Sequence, residues 1–505
     1  MVIDSGRKSG LHRFGRRLVL SVWLALVPAL LVGAPAQSAM MTNIGPRVPT
    51  NIGPRTPAID SVGPRFDPSL HRTPGGGDSG AGGGSNNSGG ASSGSSSRGT
   101  SNTGNSSGNG GGTKSQVTVR PARSGVPPAN ELRYFPDQVA FEVNGSQSDQ
   151  QLIGLLNRFR LARLETRRIP LLNTTIYLAR ILDGSSVPAK VSALAANGLR
   201  AQPNYQFTMV QTAGAAQAET EEGPDSAQYA LAKLHLGEAH MLARGDNVLV
   251  AVVDSGVDLD HPALAGVVEK SFDALNSSEG PHSHGTALAG IIAGHARLAG
   301  AAPAVHILAA RAFSSTQGST VSIIASIDWA VANGARVVNM SFAGPSDPLL
   351  GRALAAAHQK GVVLVAAAGN AGPKSPPLWP AADSHVIAVT ATDYDDHLYA
   401  MANRGSHVAI AAPGVDILVA NPGASYKMET GTSFSAGFVS GVAALVLQRK
   451  PQLTPDAVKK VLLTTAHDLG PKGRDDQFGA GLMDAFQAVN AVEKSTDAAL
   501  QVPAH

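Results

Sequence analysis

The sequence predicts an α/β fold: one doubly wound, mostly parallel sheet with helices on both faces, preceded by a small α+β domain. Three observations carry that expectation. Continuous apolar runs at Val248 to Val253, Val305 to Ala310, Val337 to Met340, Val362 to Ala366 and Val386 to Val389 read as strands buried on both faces. Helical segments such as Ile323 to Ala332 and Leu349 to Gln359 lie between them, an alternation that requires right-handed crossovers between parallel strands. Upstream, residues 134–211 switch between the two-residue period of a strand and the 3.6-residue period of a helix.

Taken in chain order, residues 1–36 read as an export signal. Arg7, Lys8, Arg13, Arg16 and Arg17 form a basic front, the apolar run Leu18 to Val32 follows, and small residues at Ala34 and Ala36 suggest cleavage after Ala36. The Arg16-Arg17 pair hints at twin-arginine export. A retained membrane anchor is the alternative, but the run is interrupted by Pro28 and falls short of the ~18 residues a span needs. Residues 37–133 read as a flexible tether, because the Gly, Ser and Asn run from Gly75 to Gly112 offers almost nothing apolar to offset chain entropy. Within the tether a repeat recurs as Asn43-Ile44-Gly45-Pro46-Arg47, Asn51-Ile52-Gly53-Pro54-Arg55 and Ser61-Val62-Gly63-Pro64-Arg65. It reads as a solvated spacer, with a short linear binding motif as the alternative.

In the small domain at 134–211, Val139, Phe141 and Val143 alternate as on a half-buried strand, and Asp149 precedes Leu152, Ile153, Leu155, Leu156 and Phe159 at helical spacing. Strands are expected at Leu164 to Ile169 and around Ile176 and Leu178. Ser186 caps a second helix that ends at Gly198, and Leu199 to Phe207 returns as a strand interrupted at Pro203. The order βαββαβ is that of a ferredoxin-like sandwich. Residues 212–227 are small and acidic and read as a linker, residues 228–492 as the α/β domain, and 493–505 as a tail.

Composition excludes several chemistries. With no Cys there is no disulfide, no zinc-thiolate site and no thiol nucleophile. A formal charge of +3 is too small to imply a nucleic-acid partner or a charged membrane surface, and no other stretch could span a bilayer.

In a doubly wound sheet the working residues gather at the carboxyl ends of the strands. Asp254 ends the run Val248 to Val253, His284 lies in His282-Ser283-His284-Gly285-Thr286 before a small-residue helix, and Ser433 lies in Gly431-Thr432-Ser433 before a long apolar helix. Each alone has a plain structural reading: a turn former, a structural or metal-binding histidine, a helix cap. Together they resemble the subtilisin-like serine proteases, whose triad runs Asp, His, Ser along the chain. The blocks that carry the resemblance are Val252-Val253-Asp254-Ser255-Gly256, His284-Gly285-Thr286 and Gly431-Thr432-Ser433. Beside these stand Ile327-Asp328-Trp329-Ala330 leading to Asn339-Met340-Ser341-Phe342-Ala343-Gly344, then Ala366-Ala367-Ala368-Gly369-Asn370-Ala371-Gly372, and the closing stretch Asp475 to Ala488.

The resemblance implies a subtilisin-like fold over about Gln228 to Val492 and peptide-bond hydrolysis through an acyl-enzyme. It implies Ser433 as nucleophile, His284 as general base and then acid, Asp254 as the group that orients the imidazole, and Asn370 as an oxyanion donor. It implies a substrate-pairing edge at Gly318, Ser319 and Thr320. A first specificity pocket is implied between Ser341, Phe342, Ala343, Gly344 and Ala367, Ala368, Gly369, whose small side chains favour apolar residues before the cut over Lys or Arg. The chain departs from the family at Gly437 and Phe438, where Pro and His are usual, at Ala287, and at Ala263 in His261-Pro262-Ala263-Leu264, where an Asp that binds calcium in many relatives is missing. No cofactor is expected, with calcium as the alternative. The domain at 134–211 resembles the family's propeptide, which implies a precursor cut by its own Ser433 between Gln211 and Gln228, with a permanent accessory domain as the alternative. The expected partners are protein or peptide substrates and the chain's own propeptide, and the expected location is outside the cytoplasm: secreted, periplasmic or at the cell surface. Two other readings are a catalytically silent scaffold and a surface interaction protein acting through the tether.

Overall fold

In the computed structural model the described residues are 125–143, 148–210 and 228–499, with side chains described through 492. The export signal, nearly all of the tether, the linker and the far C-terminus lie outside them.

The chain first builds β1 (Tyr134–Val143), α1 (Asp149–Arg158), β2 (Leu161–Ile169), β3 (Thr174–Ile181), α2 (Val187–Ala196) and β4 (Arg200–Met209). Ser148 caps α1 in a capping box with Gln151, and the Ser186 hydroxyl accepts from the Ala189 N–H to cap α2. The strands pair antiparallel in the order β2-β3-β1-β4. Pro203, which has no N–H to give, sits next to the register shift between β1 and β4, so the last strand continues through it to Met209. Alternation along β1 sends Val139, Phe141 and Val143 to a core shared with α1 and α2, and Ala140 to the opposite face.

Two short helices, α3 (Tyr229–Lys233) and α4 (Leu236–His240), open the larger part. Then come β5 (Leu249–Asp254), β6 (Val268–Asp273), α5 (Ser283–Ala293), β7 (His306–Arg311), β8 (Phe313–Ser314), β9 (Gln317–Ser319) and α6 (Thr320–Ala332). After these follow β10 (Val337–Met340), β11 (Phe342–Ala343), α7 (Pro348–Gln359), β12 (Val363–Ala367), β13 (Val386–Thr392) and β14 (Val408–Pro413). The chain closes with the hairpin β15 (Ile417–Asn421) and β16 (Ser425–Glu429), α8 (Thr432–Arg449), α9 (Pro455–Thr464) and α10 (Ala485–Ala499). Seven strands form one parallel sheet in the order β14-β13-β12-β10-β5-β7-β6.

Period-two alternation splits the side chains of this sheet between two cores. Val250 and Val252 of β5, with Val363, Val365 and Ala367 of β12, face a core that includes residues of α5 and α8; Ala251, Val253, Leu364 and Ala366 face one that includes α6 and α7. The second core also takes Ala140, Ile169, Ile176, Tyr205, Phe207 and Met209, so the outer face of the small sheet rests on α6 and α7. The two parts are also joined by backbone. β4 pairs antiparallel with β9 and with β11, which makes the small sheet continuous with two strands of the larger part. Among the described residues no helix is long and apolar enough to cross a membrane.

Candidate active site

The three residues of the expected triad stand at element ends: Asp254 closes β5, and His284 and Ser433 lie in the first turns of α5 and α8. Asp254 is the last residue of β5 and is fully buried. Its carboxylate is held by the Ser255 backbone N–H at 2.8 Å and the Ser255 hydroxyl at 3.1 Å. His284 lies in the first turn of α5, and its Nδ1 meets both Asp254 oxygens, at 2.8 and 3.0 Å. A buried carboxylate on Nδ1 fixes the tautomer that leaves Nε2 as a base. That Nε2 is buried and has no hydrogen-bond partner. His282 caps α5, and burial lowers its pKa, so this neighbour stays neutral near pH 7.

Ser433 lies in the first turn of α8, where the backbone dipole favours negative charge. Its hydroxyl is not turned to His284. It donates to the Val210 carbonyl at 2.8 Å, with a second contact to the Ser341 carbonyl at 3.5 Å. Asn370, on the loop after β12, donates from Nδ2 to the same Val210 carbonyl at 3.4 Å. The other end of its amide is fixed, since Oδ1 accepts from the Thr432 N–H at 3.1 Å and the Thr432 hydroxyl at 2.9 Å.

Val210 is held there because β4 lies between both rims of the cleft. Gln206, Phe207 and Thr208 pair with Ser319, Gly318 and Gln317; Met209 and Thr208 pair with Phe342 and Ala343; and the Val210 N–H donates to the Ser341 carbonyl at 3.2 Å. Gly318 and Ser319 therefore lie on a pairing edge, whereas Thr320 does not. It begins α6, and its buried hydroxyl donates to Asp347 and accepts from the Tyr205 N–H. Ser341 also donates its hydroxyl to the Ser433 carbonyl at 3.2 Å. Phe207 is fully buried, edge-on to Phe342, which in turn lies against Phe313. A Cβ on Gly344 would come within 2.3 Å of the Phe207 ring, so this glycine makes the room. Ala368 and Gly369 carry the loop before Asn370, and Ala367 ends β12.

The carbonyl presented to Ser433 lies one residue upstream of the 211–228 window expected from sequence. Composition marks where the acidic linker begins, whereas strand pairing that persists through Met209 sets which carbonyl lies at Ser433. Thr432, Asn403 and Phe207 were not singled out either. Asn403 bonds only to backbone, which leaves no periodic or motif signal, and Thr432, although it stands in the Gly431-Thr432-Ser433 block, shows its partner Asn370 only in the fold.

Gly437 and Phe438 leave α8 unbroken, and both pack in its buried face. Ala263 brings no donor, and the His261 ring is used by the Ala263 N–H and the Ser425 carbonyl. Among the described residues no three His, Asp or Glu side chains are grouped to hold a metal ion.

Comparison with known proteins agrees with this architecture. Residues 245–481 match the model of the Subtilase family. Thermitase of Thermoactinomyces vulgaris is 34% identical over 273 residues, which cover 52% of this chain and 96% of that protein. The thermophilic serine proteinase of Bacillus sp. (strain AK1) is 37% identical over 321 residues, 61% of this chain and 77% of that protein. Among solved structures, fervidolysin from Fervidobacterium pennivorans, a keratinolytic enzyme related to subtilisin, superposes with a TM-score of 0.60 at 26% identity, covering 71% of this chain and 62% of that one. The chain belongs to the subtilase family and is a subtilisin-like serine endopeptidase.

Proposed function

We propose that this endopeptidase is exported and made as a precursor that cuts itself between Val210 and Gln211. One observation carries the reading: the Val210 carbonyl lies on the Ser433 hydroxyl and in front of the Asn370 amide, at the end of a strand paired on both sides. In the first step the Ser433 hydroxyl turns to His284, gives its proton to Nε2, and Oγ adds to the Val210 carbonyl carbon. The oxyanion is stabilised by Asn370 Nδ2, and Asp254 stabilises the imidazolium. His284 then protonates the Gln211 nitrogen, the C–N bond breaks, and the Val210 acyl group stays on Ser433 until water, deprotonated by His284, releases it. These steps use no cofactor.

The same cleft takes other chains. The chemistry of the seated strand supports substrates with a medium-sized apolar residue before the cut, as at Val210, and an aromatic residue four positions before it, as at Phe207. The basic front and apolar run of residues 1–36 support export, to the periplasm, the cell surface or the medium.

Full-length Ser433→Ala compared with the unmodified chain tests the proposal. Mass spectrometry should find the variant at precursor length and the unmodified protein split into a fragment ending at Val210 and one beginning at Gln211. Normal processing of the variant without added protease, or termini elsewhere, would overturn it.

A further inference from the structure

We propose that Asn403, which touches neither Ser433 nor the Val210 carbonyl, positions the oxyanion donor Asn370; the inference rests on the oxyanion role given to Asn370 above. An oxyanion donor accelerates the reaction only if it is aimed before charge develops, so the backbone that carries it must be fixed independently of substrate. Thr432 fixes the tip of the Asn370 side chain. Its hydroxyl also accepts the Gly369 N–H at 3.2 Å, but it reaches neither Ala368 nor the far side of the loop at Ala371.

Asn403 reaches both. Its side chain is fully buried. Nδ2 donates to the Ala368 carbonyl at 3.0 Å, Oδ1 accepts from the Ala371 N–H at 2.9 Å, and its backbone N–H donates to the Gly369 carbonyl at 2.9 Å. Residues 368, 369 and 371 are thus bound to one residue, and Asn370 is the position left facing the cleft. A further bond from the Gly372 N–H to the Met401 carbonyl, 2.9 Å, continues the same zipper. Gly369 fits this clamp twice over. Its φ of +115° lies in the region that favours glycine, and a Cβ there would come within 2.3 Å of Asn403 Nδ2. The chemistry also selects the residue type. One donor and one acceptor on a short stem bridge a C=O and an N–H three residues apart; Asp keeps only the acceptor, and Ala keeps neither.

The test uses four full-length proteins, allowed to process: the unmodified chain, Asn370→Ala, Asn403→Ala and the double variant. Folding of each is checked by a cooperative thermal melt, and kcat and KM are read on a short peptide amide with Val before the cut. Loss of a side-chain oxyanion donor costs roughly 10²- to 10³-fold in turnover, a figure from a subtilisin. Asn403→Ala should lose part of that, about 10- to 100-fold in kcat, with KM changed less than about two-fold. In the Asn370→Ala background the same substitution should cost less than about two-fold, because a donor that is gone cannot be misaimed. Asn403→Asp, of the same size, should lose less than Asn403→Ala, and it decides by the same criteria if the alanine variant does not fold. Unchanged kcat in folded Asn403 variants, a loss seen in KM alone, or losses that multiply in the double variant would overturn the inference while leaving the role of Asn370 standing. An unimpaired Asn370→Ala would overturn both.

Discussion

The depth of the pocket that receives Phe207 is set by a missing atom. Gly344 leaves the space that the Phe207 ring occupies, and Phe342 and Phe313 line it. Adding one methyl group removes that space, and a single misfit group in an apolar pocket is worth about 1–3 kcal/mol of discrimination. Gly344→Ala should therefore lower kcat/KM about tenfold or more for a peptide with Phe four residues before the cut, relative to the same peptide with Ala there. The comparison of the two peptides checks it, and an unchanged ratio would show that the pocket is not read. At this scale legibility divides by the kind of partner. Asp254, His284, Ser433 and Asn370 stand in short blocks whose residue types resemble a known set, so they were visible. Asn403 is a polar residue outside those blocks, and what distinguishes it is a set of backbone partners far away in the sequence; Thr432 lies inside one, but its tie to Asn370 spans 62 residues. Thr320 is the converse case. Adjacency to the pairing edge suggested contact with substrate, but the chain turns into α6 at that residue and carries the hydroxyl inward.

Among the elements, β4 does the most joining, since it pairs with β1 on one side and reaches β9 and β11 beyond. Its polar anchor is Gln202. The buried carboxylate of Asp347, which caps α7, accepts from Gln202 Nε2 at 2.7 Å, from the Thr320 hydroxyl at 2.6 Å and from the N–H groups of Leu349 and Leu350. Removing one donor from a buried carboxylate costs about 1.5–3 kcal/mol. Gln202→Leu, made in the Ser433→Ala background so that the chain stays whole, should melt a few degrees lower than Ser433→Ala alone; equal melting temperatures would mean that the anchor contributes nothing. The five interior strands of the large sheet were legible as apolar runs because both of their faces are buried. β6 was not, because Val268–Asp273 lies at the sheet edge with most of its residues exposed or half-buried and has no apolar run to read. β14 was missed for the opposite reason. Val408–Pro413 is wholly buried but short and Ala-rich, a pattern that fits a helix segment as well as a strand.

For the molecule as a whole, the contact between the small α+β part and the larger part contains acids whose titration the contact itself alters. Asp347 is sealed by Gln202, and Asp328, half-buried on α6, accepts from the Leu171 N–H at 2.8 Å. Burial raises the pKa of both above the ordinary value of 3.8, with the hydrogen bonds opposing it. Separation of the two parts returns these carboxyls toward water and toward their ordinary value. The joined form therefore binds protons more tightly than the separated parts, and by linkage the contact is strongest in acid and weakens as pH rises from about 3.8 through the raised values. Two other acids with lowered pKa do not offset this, because Glu131 pairs with Arg133, and Asp183 with Lys190, within the small part itself. After the cut proposed at Val210, the fraction of the small part still bound to the protease should fall as the pH is raised from about 3.8 through the raised values. Size-exclusion chromatography of the processed protein at a series of pH values measures that fraction directly. Asp347→Asn keeps a helix cap but cannot titrate, and combined with Asp328→Asn it should flatten the dependence. A bound fraction that rises with pH over this window, or a dependence unchanged in the double variant, would remove these carboxyls from the account of release.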